Sequence, residues 1–193
     1  MGMGGAHPCW ILETGNWKLL RLKGVTPMNP LAFTKLSYGV YVVTSWADGG
    51  KPTGCTANSA MQVTAEPATI AVSINHSNFT NECIKNSGMF AINVLGENTA
   101  PLTIGTFGFR SGRDFDKFAK TPEVKNFLPV VDGSIAHITC KVIDTMESET
   151  HTVFLGEVTG AEVLSDDTPM TYAYYHKVIK GKSPKTAPTY VKE

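Results

Sequence analysis

The chain lacks any run approaching the ~18 consecutive apolar residues of a membrane-spanning helix. Residues 1–26 carry Glu13 and Lys18 through Lys23 where a signal peptide needs its apolar core. A cytoplasmic protein is the expectation. Charge is scarce: 17 basic and 17 acidic residues make up 18 % of the chain, sum to zero, and fall below the ~25 % of an average soluble domain. Without excess positive charge the chain has no footprint for releasing counterions from nucleic acid or an anionic membrane, so neither is expected as a partner. Cysteine is equally sparse, with four residues at 9, 55, 83 and 140 and no Cys-x-x-Cys pair to hold zinc or shuttle a disulfide. They read as reduced, mostly buried thiols. Leucine occurs only 11 times against 48 Val, Ile and Thr residues, a bias that suits pleated strands.

What is present is enough for one core: 193 residues, 42 % of them hydrophobic, exclude disorder over most of the length and predict a single core rather than two large domains. Residues 1–27 show no sustained periodicity and read as an N-terminal arm or leader, which leaves 28–193 as the domain. A short helix is expected after Asn29-Pro30. Tyr38 to Trp46 reads as a strand closed by Asp48-Gly49-Gly50, and a second strand returns from Pro52 to Asn58 to complete a hairpin. Thr69 to Asn75 alternates Ile70, Val72 and Ile74 with smaller residues, the period of a half-buried strand. Asn75 to Asn78 offers helix caps, Phe79, Cys83 and Ile84 mark one helical face, and Gly88 is placed to end it. Met89 to Leu95 is a strand, Pro101 opens another short helix, and Phe107 to Asp114 reads as a glycine-punctuated loop. Ser134 to Thr145 and His151 to Leu164 supply two long strands. Some six strands without βαβ alternation predict a closed or partly closed antiparallel barrel.

Candidate chemistry concentrates in two polar blocks. Gly54 to Ala60 is dense in small, hydroxyl and amide residues that allow close approach to a phosphate or a polar ring edge, or that satisfy their own turn. Ser73 and Asn75, followed by Ser77 and Thr80, lie beside an expected helix N-terminus, which favours an anion or simply caps the helix. His151, with Thr152, stands where a turn enters a long strand, as a ligand-orienting group or a solvated turn residue. The remaining histidines show no metal spacing, and no metal site is expected. Arg110 and Arg113 could meet phosphate or lie exposed, and Tyr172, Tyr174 and Tyr175 suit core or interface packing. There is no nucleophile elbow, dinucleotide glycine fingerprint or P-loop.

Taken in order, Leu36-Ser-Tyr-Gly-Val-Tyr-Val-Val-Thr-Ser, Thr56-Ala-Asn-Ser with Val63-Thr-Ala-Glu-Pro, Ile70-Ala-Val-Ser-Ile-Asn, Gly108-Phe-Arg-Ser-Gly-Arg-Asp, Thr150-His-Thr and Met170-Thr-Tyr-Ala-Tyr-Tyr-His carry a resemblance. From about Met28 to Tyr190 the chain resembles the flavin-reductase-like FMN-binding split-barrel family, in particular its ferric-reductase and flavoredoxin-like branch and the flavin domain of flavin-reductase/rubredoxin fusion proteins. The resemblance implies a mainly β, antiparallel Greek-key split barrel with a few short helices. It implies FMN held by Thr56, Ala57, Asn58, Ser59, Ser73, Ile74 and Asn75, with Thr80 near the phosphate. It places His151 and Thr152 beside a nicotinamide site, with His151 the catalytic candidate. A homodimer is implied that takes a hydride from NADH or NADPH and passes electrons to free flavin, a ferric chelate or a small redox protein. An FMN electron-transfer module reduced by a partner protein and a non-catalytic flavin-storage protein are the rival expectations. No rubredoxin-type Cys-x-x-Cys pair follows in this sequence, so no fused iron centre is expected. The tail Gly181-Lys-Ser-Pro-Lys-Thr matches the same branch without an assigned role.

Overall fold

The long β-branched runs form strands in the computed structural model, which describes residues 11–13, 16–18, 29–118, 120–184 and 187. In chain order these residues form β1 (Ile11–Glu13), β2 (Asn16–Lys18), β3 (Tyr41–Ala47), β4 (Lys51–Ala57), β5 (Ala60–Ala65), β6 (Ala68–Asn75), α1 (Phe79–Ser87), β7 (Met89–Leu95), α2 (Pro101–Phe109), β8 (Val124–Lys125), β9 (Leu128–Pro129), β10 (Ser134–Glu147), β11 (His151–Val163) and α3 (Tyr172–Lys177). Seven strands pair antiparallel in the order β4-β3-β7-β10-β11-β6-β5. The two end strands, β4 and β5, are joined by Asn58 and Ser59 alone, so the sheet curls until its edges meet at that corner. This is an antiparallel split barrel with short helices.

Both faces of the sheet are covered, which explains the unbroken burial of Val42 and Val43 on β3. Val43, Cys55, Val72, Ile74, Phe90, Ile92 and Phe154 belong to one apolar cluster. Val42, Leu95, Ile104, Phe107, Met170 and Tyr175 form a second, built with α2 and α3. The Asp48-Gly49-Gly50 turn between β3 and β4 has φ of +74° at Gly49 and +76° at Gly50, values that favour glycine. Gly88 ends α1 at φ +68°, donating its N–H to the Ile84 carbonyl. Cys55, Cys83 and Cys140 are buried free thiols, while Cys9 lies outside the described residues.

Several boundaries differ from expectation for local reasons. The helix after Asn29 is a 3₁₀ helix, Pro30–Lys35. The first long strand starts at Tyr41 because Gly39 and Val40 bond instead to Thr171 and Met170. β5 was not anticipated: its Met61 is 65 % exposed and its pairing is interrupted between Gln62 and Thr64, so no clean alternation marks it. α2 runs on to Phe109, shortening the expected loop, because Phe107 is buried against the second cluster. The Tyr172 region is α3, capped by Thr171 Oγ1, which accepts the Tyr174 N–H at 3.1 Å.

Candidate functional site

The corner where β4 gives way to β5 opens into a cleft of about 790 Å³, counting the solvent at its mouth. The end of β4 brings Thr56 and Ala57 to it, the connection brings Asn58 and Ser59, and the end of β6 brings Ser73, Ile74 and Asn75. β11 pairs with β6 so that His151 stands opposite Asn75, which puts the histidine on the same cleft. Eight of the residues singled out in the sequence thus converge. Their local bonds fix the walls. The Ser73 N–H donates to the Ser59 carbonyl at 3.1 Å, Ser59 Oγ donates to Asn58 Oδ1 at 2.9 Å, and Thr56 Oγ1 donates to the Ile104 carbonyl at 3.2 Å. Asn75 Oδ1 accepts the Ser77 N–H at 2.8 Å, turning the chain into α1. The Ile74 side chain belongs to the core cluster.

A second recess of about 620 Å³, again counting solvent, adjoins the first and shares Cys55, Asn78, Gly108, Phe109 and Pro184 with it. Thr80 lies here, together with Ser77, Arg110, Ser111 and Lys117. The recess is bordered by Asn78, Phe79 and Thr80 at the start of α1, where the Asn78 side chain makes no capping bond and the Asn81 N–H donates to the Asn78 carbonyl at 2.9 Å. Lys117 Nζ donates to the Gly54 carbonyl at 2.7 Å and the Phe107 carbonyl at 3.1 Å, which commits two of its three donors. Burial lowers the Lys117 pKa from the ordinary lysine value. Burial likewise raises the pKa of the Cys55 thiol, which touches both spaces and stays neutral. Of the two loop arginines only Arg110 lines the recess, because Arg113 is paired with Glu82 and lies over the Phe79 ring.

His151 Nδ1 shares a 2.8 Å hydrogen bond with Thr150 Oγ1, and burial, then the neighbouring His76, lowers its pKa. Its imidazole is therefore neutral at pH 7. Thr152 lines neither space: it is fully buried and donates through Oγ1 to Glu147 Oε2 at 2.9 Å. Glu147 also takes Lys85 Nζ at 2.7 Å and His76 Nε2 at 2.9 Å, tying α1 and the turn before it to the β10–β11 hairpin that carries His151. These bonds, that of Lys85 first, lower the Glu147 pKa to about 2. A carboxylate depressed in the folded state stabilises above its ordinary pKa of 4.5 and loses that contribution as pH falls towards about 2. Glu147→Gln is expected to flatten the acid limb of a melting-temperature profile in that window. An acid limb identical to that of the parent protein would show that the pairs contribute nothing.

Sequence reasoning missed Lys117 and the α2 residues Ile104 and Phe107; Tyr172 and Tyr175, expected in core or interface packing, and Lys182, Ser183 and Pro184, which had no assigned role, also line the cleft. The glycines of 108–112 and the Met170–His176 run were the available signals. Among the described residues, no three His, Cys, Asp or Glu side chains gather as metal ligands, and no helix is long and apolar enough to cross a membrane. Small walls, hydrogen-bonding groups and a basic recess at a helix start fit a planar heterocycle bearing a phosphate.

Comparison with known proteins agrees with that chemistry. The model of the flavin reductase like domain matches residues 33–182. The chain is 44 % identical over 168 residues to the high molecular weight rubredoxin of Moorella thermoacetica, covering 84 % of this chain and 72 % of that protein. It is 43 % identical over 166 residues to the ferric-chelate reductase (NAD(P)H) of Archaeoglobus fulgidus, covering 84 % and 98 %. Among solved structures, the flavin reductase PheA2 in its native state superposes with a TM-score of 0.62 at 30 % identity, over 72 % of this chain and 88 % of that one. The chain belongs to the flavin reductase like family of oxidoreductases and shares its split-barrel fold.

Proposed function

We propose that this cytoplasmic protein is an FMN-dependent oxidoreductase that takes a hydride from NADH or NADPH and passes electrons to free flavin, a ferric chelate or a small redox protein. The observation that carries this reading is the continuity of the small-residue cleft with the basic recess at the start of α1. Thr56, Ala57, Asn58, Ser59, Ser73, Ile74 and Asn75 would border the ring, because none is bulky enough to block it and their backbone and polar groups supply hydrogen bonds. Thr80, Arg110, Lys117 and the first-turn N–H groups of α1 would hold the phosphate. When bound, FMN supplies the redox chemistry. His151, neutral and on the cleft, would orient the nicotinamide, while Thr152 fixes the hairpin through Glu147.

A second reading, an FMN electron-transfer module reduced by a partner protein, is favoured by the relative named as a rubredoxin. Either form would be a homodimer, for which the edge strand β5 offers exposed Met61 and Val63. Tyr175, by contrast, is buried within the chain. Titrating the purified protein with FMN while recording its visible spectrum, with light scattering on the same sample, tests both parts. The expected result is saturable binding to a particle of twice the chain mass. A colourless protein that takes up no FMN would overturn the cofactor assignment, and a monomer with FMN bound would overturn the dimer.

A further inference from the structure

We infer that Gly181–Pro184 is a strap that retains the cofactor, making FMN a slowly exchanging resident group and not a product that diffuses away. The inference rests on the FMN reading and adds to it a residence time and the residues that set it. Lys182, Ser183 and Pro184 line the cleft together with the ends of β4 and β6, and Pro184 also lines the basic recess. The segment therefore crosses the junction between the space for the ring and the space for the phosphate.

The strap is fastened to α3 at every step. Lys180 adopts a left-handed φ of +60° and turns the chain back over the helix. The Gly181 N–H donates to the Tyr175 carbonyl at 3.0 Å, and Tyr175 Oη donates to the Lys182 carbonyl at 3.1 Å. Ser183 Oγ shares hydrogen bonds with Tyr172 Oη and, at 3.2 Å, with His176 Nε2. Those three side chains brace one another, with ring centroids 6.3 Å apart for Tyr172 and Tyr175 and 4.3 Å apart for Tyr172 and His176. Behind them Tyr175 is rooted in the second apolar cluster, and the Tyr172 N–H donates to the Tyr38 carbonyl at 2.8 Å. Gly181 is required by contact: a Cβ there would lie 2.0 Å from the Tyr175 ring, so only glycine lets the chain cross that ring at this height.

A ligand behind such a wall leaves at a rate scaled by the fraction of time the wall is open, and weakening its fastenings raises that fraction. Side-chain hydrogen bonds shut the strap, so removing the two made by Ser183 is expected to speed release about tenfold, the factor that follows from the loss of roughly one to two ordinary hydrogen bonds. Gly181→Ala, which pushes the strap off the ring without altering a residue that lines the cleft, should do at least as much.

The experiment loads the full-length protein, Ser183→Ala and Gly181→Ala with FMN, dilutes each far below its dissociation constant so that rebinding is negligible, and follows the rise of free-flavin fluorescence. Melting temperature is recorded in parallel. Slow release from the parent protein, with about tenfold faster release from both variants at unchanged melting temperature, supports the strap. Should Gly181→Ala fail to fold, His176→Ala, which removes a fastening of Ser183 without altering a residue that lines the cleft, decides. Release at the parent rate from the folded variants overturns the strap and leaves the FMN assignment standing, as does release from the parent within the mixing time. A parent protein that takes up no FMN overturns both.

Discussion

Thr80→Val is expected to weaken FMN binding ten- to hundredfold while leaving riboflavin binding unchanged. Thr80 stands in the recess at the start of α1, beside Arg110 and Lys117, and is 1 % exposed. A hydrogen bond to a charged phosphate is worth roughly 1.5 to 3 kcal/mol, which is the stated range in affinity. Valine keeps the shape and removes the hydroxyl, together with its hydrogen bond to the buried Cys55 thiol, so the melting temperature is recorded beside the titrations. Riboflavin presents the same ring without a phosphate, which makes it the internal control. Titration calorimetry with both ligands checks this. Equal weakening for the two would place Thr80 beside the ring, and no weakening for either would remove it from the site. Asn58→Ala, on the cleft and not the recess, should weaken both ligands together.

His151→Ala is expected to keep FMN and to slow its reduction by nicotinamide about a hundredfold, because misplacing a hydride donor by about 1 Å costs on that order. The histidine borders the cleft opposite Asn75, but its Nδ1 is engaged with Thr150 Oγ1, so it is held in place from outside the cleft. Its lowered pKa keeps it neutral at and above pH 7, and the parent reduction rate should fall only as pH drops through that lowered pKa. The alanine variant should lack this fall. Stopped-flow reduction of the FMN-loaded variant across pH, with its melting temperature, is the check. Parent rates with both nicotinamides would remove His151 from the functional residues and move the protein towards the partner-reduced electron carrier.

Much of the barrel is legible from local chemistry. Met89–Leu95 and the long strands Ser134–Glu147 and His151–Val163 are runs of β-branched and apolar residues that no helix would use as well, and Gly88 marks the end of α1 through its left-handed conformation. β5 escapes because an edge strand with exposed Met61 and Val63 and an interrupted register shows no period of two. α3 escapes because six residues with three tyrosines carry weak helical propensity, and its stability comes from packing Tyr175 into the second cluster. The cleft divides the same way. Thr56–Ser59 and Ser73–Asn75 are contiguous blocks whose small polar character is visible in the chain. Lys117 reaches the Gly54 carbonyl across 63 positions, and the strap meets the cleft only because α3 folds against the sheet. Neither convergence leaves a mark in sequence spacing.

Hydride transfer to the bound flavin is tested most directly by mixing the FMN-loaded protein with NADH, and separately with NADPH, under anaerobic conditions while the visible flavin bands are followed. At least one nicotinamide is expected to bleach the flavin without any other protein present, and free flavin or a ferric chelate then restores the oxidised spectrum. An oxidised spectrum that persists against both nicotinamides, yet bleaches when a partner reductase is added, would contradict that transfer.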